Sequence, residues 1–209
     1  MPRSLLTAFF FVFCIAAYAP PAGSAEGAAG LILSGSAESK VKLEVFSDFE
    51  CPGCRNLFIN TIQPILKEYK DRVCVVYYEF PLDMHQYARP ASRYVSAVAR
   101  LGDRKKLLAV FEAIFTNQDE WAENGSLEAF VSKALSPEDF QKVKSILEKE
   151  SGNIEQDIER DIKVGADRNI NATPTIFLNH NGSYEKVVMP PNVRNMYTLL
   201  SWRLNGLLK

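Results

Sequence analysis

The chain has 209 residues, of which 47% are hydrophobic and 23% charged, with 11 glycines and 11 prolines. These values are typical of a globular protein and exclude the disordered, collagen-like and coiled-coil classes. The formal net charge of −1, from 24 basic and 25 acidic residues, gives no support to a nucleic-acid partner, which would need a basic face.

Residues 1–25 have the features of a secretory signal peptide. Arg3 supplies a short positive start, residues 5–18 form an apolar run interrupted only by Thr7, and small residues ending at Ala25 suit cleavage there. The run is shorter than the ~20 residues of a membrane-spanning helix, and an uncleaved anchor is the alternative. The sequence therefore predicts a periplasmic or secreted protein, in a compartment where disulfides persist.

Residues 26–40 are rich in Ala, Gly and Ser and are interpreted as a linker with one short strand at residues 31–33. Residues 41–49 alternate apolar and charged side chains, which predicts a strand. A helix is expected after this strand, with a kink at Pro64, because proline removes a backbone donor and crowds the preceding turn. The apolar run at residues 73–80 is typical of a central strand buried on both faces.

The periodicity becomes helical from about residue 90 to residue 170. It predicts helices at residues 103–117, at 126–135 with Ser126 as the cap, from Pro137 with Ser136 as the cap, and at 153–168. This order predicts an α/β core that carries a long helical insertion between its second and third core strands.

Strand character returns at residues 175–178 and 184–188, on either side of a hairpin turn at Asn181 and Gly182. Asn192 is predicted to cap a closing helix that runs to Leu208.

Cys51 and Cys54, with Pro52 and Gly53 between them, form a C-x-x-C motif where the predicted strand meets the predicted helix. At a helix N-terminus, free backbone N–H groups and the helix dipole stabilise a thiolate at Cys51. Cys54 lies one turn further and is placed to resolve a mixed disulfide. A zinc site is disfavoured, because it needs a second pair of ligands in addition to this motif. A purely structural disulfide is also disfavoured, because closing so short a loop stabilises the fold little. The motif therefore favours a reactive pair.

Thr173 and Pro174 stand directly before the strand at residues 175–178. A cis bond between them would let Thr173 offer its N–H and C=O to an extended peptide that docks over Cys51. The sequence leaves the isomer open, because cis accounts for only ~5–6% of such bonds.

Two other residues are interpreted more simply. Cys74 falls within the predicted buried strand and is expected to be an inert core thiol. His85 is expected to shape a loop near the site rather than to transfer protons.

Three segments together resemble the DsbA-like thioredoxin family of exported bacterial proteins: VFSDFECPGC at residues 45–54, FPLDMH at 80–85 followed by Ala88 and Ala91, and NATPTIFLN at 171–179. The resemblance runs from about residue 40 to the C-terminus. It implies a thioredoxin fold with an inserted all-helical domain. Residues 41–209 would form this DsbA-like domain, with the insertion at about residues 86–170.

The resemblance also implies the roles of individual residues. Cys51 would be the exposed nucleophile, Cys54 its buried partner, and Thr173 with a cis Pro174 the turn that docks the substrate peptide. The implied reaction is disulfide transfer to folding exported proteins with free thiols. A quinone-linked membrane partner would reoxidise the enzyme, and no cofactor or metal is implied.

The chain departs from the family pattern at two positions. Gly53 stands where strongly oxidising members have a histidine, which predicts a higher Cys51 pKa and a weaker oxidant. Thioredoxin-like proteins often bury an acid six residues before the nucleophile, but that position is Val45, and Glu44 points to the opposite strand face. Asp48 and Glu50 are the candidates to replace this acid.

Two alternatives stay open at this stage. The same residues would also serve a disulfide reductase or isomerase. A protein that carries Cu(I) on its C-x-x-C motif belongs to a different class, and soft thiolates favour that ion.

Overall fold

A computed structural model of the chain describes residues 30–188 and 195–209. The predicted signal peptide at residues 1–25 and the predicted cap Asn192 lie outside these ranges. The strands are β1 (Leu31–Ser34), β2 (Val41–Ser47), β3 (Cys74–Glu79), β4 (Thr175–His180) and β5 (Ser183–Lys186). The helices are α1 (Pro52–Leu57), α2 (Gln63–Tyr69), α3 (Ala88–Ala99), α4 (Arg104–Thr116), α5 (Gln118–Asn124), α6 (Leu127–Ala134), α7 (Pro137–Lys149), α8 (Ser151–Asp167) and α9 (Met196–Leu207).

The five strands form one mixed sheet in the order β1-β3-β2-β4-β5. β2 and β3 are parallel, and the other neighbours are antiparallel. The three central strands are almost entirely buried, because helices cover both faces of the sheet. This agrees with the continuous apolar run that predicted β3.

The helix after the C-x-x-C motif departs from α-helical geometry in its middle. Residues 58–62, between α1 and α2, form a π-helical turn in which the Gln63 N–H bonds to the Phe58 carbonyl, five residues back. Pro64 cannot donate a hydrogen bond, and in a regular helix its ring would crowd the carbonyl four residues earlier. The disturbance predicted at Pro64 therefore takes the form of a widened turn just before it.

Six helices, α3 to α8, lie between β3 and β4, and the predicted helical insertion is confirmed. The predicted cap at Ser136 is confirmed, because its hydroxyl accepts from Asp139 N–H in α7. A cap that the sequence analysis did not single out begins α4, where the Asp103 carboxylate accepts from the N–H groups of Lys105 and Lys106. The cap predicted at Ser126 is wrong. Its ψ of 27° is not extended, and its side chain makes no capping hydrogen bond to α6.

Two apolar clusters lie on opposite faces of the sheet. The larger cluster joins the sheet to α1, α2, α4 and α9, and it contains Cys54. The smaller cluster lies under α8 and contains Phe46, Cys74, Val76, Tyr78, Phe80, Ile170 and Phe177. The C-x-x-C motif therefore belongs to one face of the sheet and the third described cysteine to the other.

The hairpin and the closing helix follow the predicted order. Asn181 and Gly182 both have positive φ, 53° and 84°, as a tight turn between β4 and β5 requires. α9 begins at Met196, and the Asn195 side chain accepts from the N–H groups of Tyr197 and Thr198. The described start of this helix is thus capped by Asn195.

Candidate active site

The predicted cysteine pair lies where the chain leaves β2 and enters α1. Cys51 occupies the N-cap position and is partly exposed, whereas Cys54 is buried within the first turn. The Cys51 carbonyl accepts from Cys54 N–H at 3.0 Å and from Arg55 N–H at 3.1 Å. Pro52 takes the first helical position, where its missing donor costs nothing. The first turn of α1 therefore presents one sulfur to solvent and shields the other.

Thr173 and Pro174 lie directly against the pair. The bond between them is cis, and Cys51 Sγ lies 3.5 Å from the Thr173 carbonyl oxygen. A side-chain carbon added at Gly53 would lie 3.2 Å from Pro174 Cδ and 3.6 Å from Cys51 Sγ. Glycine at position 53 thus lets the turn before β4 approach the motif closely, a role that the sequence did not indicate.

The two thiols differ strongly in acidity. A hydrogen bond from the Cys54 thiol, assisted by the backbone N–H groups of Cys54 and Gly53, lowers the pKa of Cys51 to about 5, although partial burial opposes the shift. Burial, reinforced by the hydrogen bond to Cys51, raises the pKa of Cys54 far above its ordinary value. At neutral pH the site therefore holds an exposed thiolate beside a protonated buried thiol.

Of the two candidates for a nearby acid, Asp48 is the one buried next to the cysteines. Its backbone N–H lies 3.4 Å from Cys54 Sγ, and its carbonyl accepts from Cys51 N–H at 3.2 Å. Its carboxylate accepts from the N–H groups of Glu50 at 2.7 Å and Leu82 at 2.8 Å. The Glu50 carboxylate instead accepts from Tyr87 N–H at 2.5 Å. Asp48 thus ties the motif to the loop after β3.

His85 lies in that loop and contacts Asp48 through its side chain. The His85 Nδ1 atom is 2.8 Å from Asp48 Oδ2, and His85 N–H donates to the Leu82 carbonyl at 2.9 Å. Partial burial opposes protonation, but the bond to Asp48 outweighs it, so the pKa of His85 is raised. His85 thus joins the loop to the buried Asp48 carboxylate, and the contact is an ion pair when the imidazole is protonated.

Glu44 takes no part in this site. It is buried on the opposite face of the sheet, where it pairs with Arg168 and accepts from the Asn179 amide at 3.0 Å. The strand alternation that placed it opposite to Val45 is therefore correct.

Gln118 is a polar neighbour of the motif that sequence reasoning missed. It begins α5 in the helical insertion, yet its side-chain Nε2 donates to the carbonyls of Phe49 at 2.7 Å and Cys51 at 3.0 Å. Nothing in the local pattern around Gln118 points to the motif, because these partners are 67 and 69 residues away in the chain.

Cys74 lies on the opposite face of the sheet from Cys54. It is fully buried in β3 within the smaller apolar cluster, and burial raises its pKa. It therefore has the properties of the inert core thiol that the sequence predicted.

An open groove of about 360 Å³ begins beside the motif and continues along α1 toward α9. The residues that line it are Gly53, Asn56, Leu57, Asn60, Thr61, Pro174, Asn195 and Met196. The groove brings the motif, the Thr173–Pro174 turn and a row of side-chain amides to one surface.

Two further observations concern only the ranges 30–188 and 195–209. No group of three or more His, Cys, Asp or Glu side chains there is arranged to hold a metal ion. No helix within the same ranges has both the length and the apolar character needed to cross a bilayer.

Comparison with known proteins places the chain in a family. The thioredoxin family model matches residues 28–189, so the chain belongs to the thioredoxin family. A curated relative, the probable disulfide bond formation protein D of Bacillus cereus, is 23% identical over 153 residues, which cover 70% of this chain and 69% of the relative.

Solved structures define the architecture within that family as DsbA-like. The thiol-disulfide exchange protein alpha-DsbA2 from Wolbachia pipientis superposes with a TM-score of 0.66 at 18% identity, over 83% of this chain and 85% of its own. Oxidised BdbD from Bacillus subtilis gives a TM-score of 0.62 at 20% identity, over 84% and 91% of the two chains. The predicted thioredoxin fold with a helical insertion is thus confirmed.

Proposed function

We propose that this thioredoxin-family protein is an exported thiol–disulfide oxidoreductase that donates the Cys51–Cys54 disulfide to folding proteins. The observation that carries the proposal is the asymmetry of the pair: an acidic, partly exposed Cys51 beside a buried, weakly acidic Cys54. Thiol–disulfide exchange needs such a division between an attacking or departing thiolate and a resolving thiol. The names of its relatives, a disulfide bond formation protein and a thiol-disulfide exchange protein, support the same activity.

In the donor direction, the reaction begins with the oxidised pair. A substrate thiolate attacks Cys51 Sγ, the Cys51–Cys54 bond breaks, and Cys54 leaves with the electron pair and takes up a proton. A second substrate thiolate then attacks the substrate sulfur of the mixed disulfide and releases Cys51 as a thiolate. The substrate loses two electrons and gains a disulfide, and the protein gains both electrons as a dithiol.

The low pKa of Cys51 favours this direction, because a good leaving thiolate makes the mixed disulfide easy to break. Its value of about 5 lies between ~7 for thioredoxin and ~3.5 for DsbA. We therefore expect a reduction potential between about −270 mV and −120 mV, the values for those two proteins. The replacement of histidine by Gly53 agrees with an oxidant of intermediate strength.

The proposed substrates are unfolded or folding exported proteins with free thiols. The Thr173–Pro174 turn and the groove beside it offer an extended surface next to Cys51. Met84 lies in the loop after β3, which bonds to Asp48, and it exposes 82% of its surface and supplies an apolar contact. A quinone-linked membrane protein is the proposed partner for reoxidation.

The test traps the intermediate. A variant with Cys54→Ala and Cys74→Ala retains Cys51 as its thiol in the described ranges, and it is mixed with ribonuclease A that carries scrambled disulfides. Cys51 should attack a substrate disulfide and stall as a mixed disulfide, which non-reducing electrophoresis and mass spectrometry detect and a reductant releases. Cys74→Ala alone should exchange like the wild type, and Cys51→Ala should trap nothing.

A metal carrier would give a different result in the same experiment. A metal carrier would lose Cu(I) affinity in the Cys54→Ala variant without forming a covalent adduct. The absence of any adduct under conditions where Cys51 is alkylated readily would contradict the proposed function.

A further inference from the structure

The Gln118 amide joins the helical insertion to the backbone that carries the nucleophile. Its side chain is 1% exposed, and both hydrogens of the NH₂ group have a partner, the carbonyls of Phe49 and Cys51. The Phe49 carbonyl lies between the end of β2 and the start of α1 and obtains its hydrogen bond from Gln118. Loss of that donor would leave a buried carbonyl without a partner.

The support beneath Gln118 is rigid. Trp121, one turn further along α5, is fully buried, and its indole N–H donates to the Ile114 carbonyl at 2.7 Å. Asn117, directly before Gln118, bonds through its side-chain amide to the Ala113 carbonyl at 2.7 Å. Phe115 stacks on Phe58, with 4.8 Å between the ring centroids. The amide therefore has little freedom to follow a shifted active-site loop.

The Cys51 carbonyl receives three hydrogen bonds, from Cys54 N–H, Arg55 N–H and Gln118 Nε2. The first two come from α1 itself, so of these three bonds only the one from Gln118 connects the Cys51 carbonyl to another part of the fold. The same turn carries the Gly53 and Cys54 N–H groups, which help to lower the pKa of Cys51. The position of these groups relative to the sulfur thus depends on how the Cys51 backbone is held.

From this geometry we propose that Gln118 is a positioning residue for thiol–disulfide exchange, which holds the Phe49 and Cys51 carbonyls so that the first turn of α1 keeps its N–H groups directed at Cys51 Sγ. The inference rests on the proposed function of the pair. It gives the helical insertion an indirect part in the chemistry, because the insertion supplies the amide that holds the backbone of the nucleophile.

The test compares Gln118→Met with wild type. Methionine has a similar length and shape but no donor, so both hydrogen bonds are lost while the volume is largely kept. We expect the pKa of Cys51, followed by thiolate absorbance in the reduced protein, to rise by about half a unit or more. The equilibrium with glutathione should shift toward the disulfide form, because the thiolate of the reduced form is less stabilised.

Two other variants complete the test. Gln156→Met makes the same chemical change at an exposed position of α8 and should leave both measurements unchanged. Gln118→Asn keeps an amide on a shorter side chain that reaches one carbonyl at most, and it should show a smaller shift of the same sign. If Gln118→Met does not fold, Gln118→Asn decides the question by the same two measurements.

A purely structural role would produce a different result. Gln118 variants that unfold more easily but keep the Cys51 pKa and the glutathione equilibrium of wild type would overturn the proposal. Failure of the wild-type protein to exchange with glutathione would instead refute the proposed function. The thiolate titration needs no substrate and would still decide the role of Gln118.

Discussion

Ionisation of Cys51 should make one part of the stability of the reduced protein depend on pH, and a serine at this position should remove that part. The pKa of Cys51 is about 5 in the folded protein, against 9.0 for the unperturbed thiol, chiefly because the Cys54 thiol donates a hydrogen bond to it. A group whose pKa falls on folding stabilises the protein above its unfolded pKa. That contribution is lost as the pH falls through the folded pKa, so here the window runs from about pH 9 down to about pH 5.

The size of the contribution depends on how far the pH lies above the folded pKa. At about pH 7 it lies about two units above, which corresponds to at most ~2.7 kcal/mol of stability at ~1.36 kcal/mol per unit. Cys51 is only partly buried, so solvent screening reduces the expected contribution to about 1 kcal/mol. At about pH 4 the thiol is protonated in both states and the contribution vanishes.

The assay is urea unfolding of the reduced protein, compared with Cys51→Ser, from about pH 4 to about pH 8. Serine does not titrate in this range, and all other ionisable groups are common to both proteins. The stability of wild type relative to the variant should increase by about 1 kcal/mol between about pH 4 and pH 7. A stability difference that stays constant with pH would show that the pKa of Cys51 is not lowered on folding.

Three further changes have definite expected outcomes. His85→Asn removes an imidazole whose pKa is raised by its bond to a buried carboxylate, against the effect of burial. The free energy of unfolding should therefore fall by about 1 kcal/mol near pH 6 and change little above the folded pKa, as urea unfolding at about pH 6 and pH 8 would measure. An equal loss of stability at both pH values would contradict the ion pair. Glu79→Gln replaces a fully buried carboxyl, and burial raises the pKa of that carboxyl well above its usual range. Wild type should therefore lose thermal stability from about pH 5 to pH 8 more steeply than the variant. Melting temperatures of the two proteins that fall in parallel with pH would contradict this expectation. Gly165→Ala places a carbon 2.3 Å from the Phe80 ring and should cost about 1–3 kcal/mol in urea unfolding. Gly152→Ala in the same helix meets no atom within 4 Å and should cost nothing, and equal effects of the two alanines would disprove the packing argument.

The parts of the fold that depend on local pattern could be predicted from the sequence. Alternation located β2, a continuous apolar run located β3, and helical periodicity located the long insertion. The position of Cys51 at a helix start followed from the strand before it and from Pro52 after it. Each of these signals is contained within about a dozen residues, which is why the order of elements agrees with the structure.

The contacts that complete the site are long-range, and local pattern does not record them. Asp48 and His85 are 37 residues apart, and Gln118 is 67 residues from Cys51. The alternation of strand side chains excluded Glu44 from the site, yet it left Asp48 and Glu50 as equal candidates, since both follow the end of β2. Only the packing of the loop after β3 distinguishes them, because it brings His85 to Asp48.

The Ser126 cap shows a different limit. The residue type and its place before an apolar run both favour a cap. Gly125, with a φ of 75°, ends α5 in a left-handed turn, and Ser126 then leaves it with a ψ of 27°. Two helices joined so tightly leave no extended residue between them, so the hydroxyl does not turn back to the N–H groups of α6.

The proposed disulfide donor is distinguished from its alternatives by the equilibrium reduction potential of the Cys51–Cys54 pair. The protein without residues 1–25 is equilibrated with glutathione buffers, and the fraction of oxidised pair is read from trapped thiols. We expect a reversible transition between about −270 mV and −120 mV, with the reduced form more stable to unfolding than the oxidised form. A potential close to that of thioredoxin would instead indicate a reductase or isomerase. The absence of reversible exchange would contradict the account as a whole.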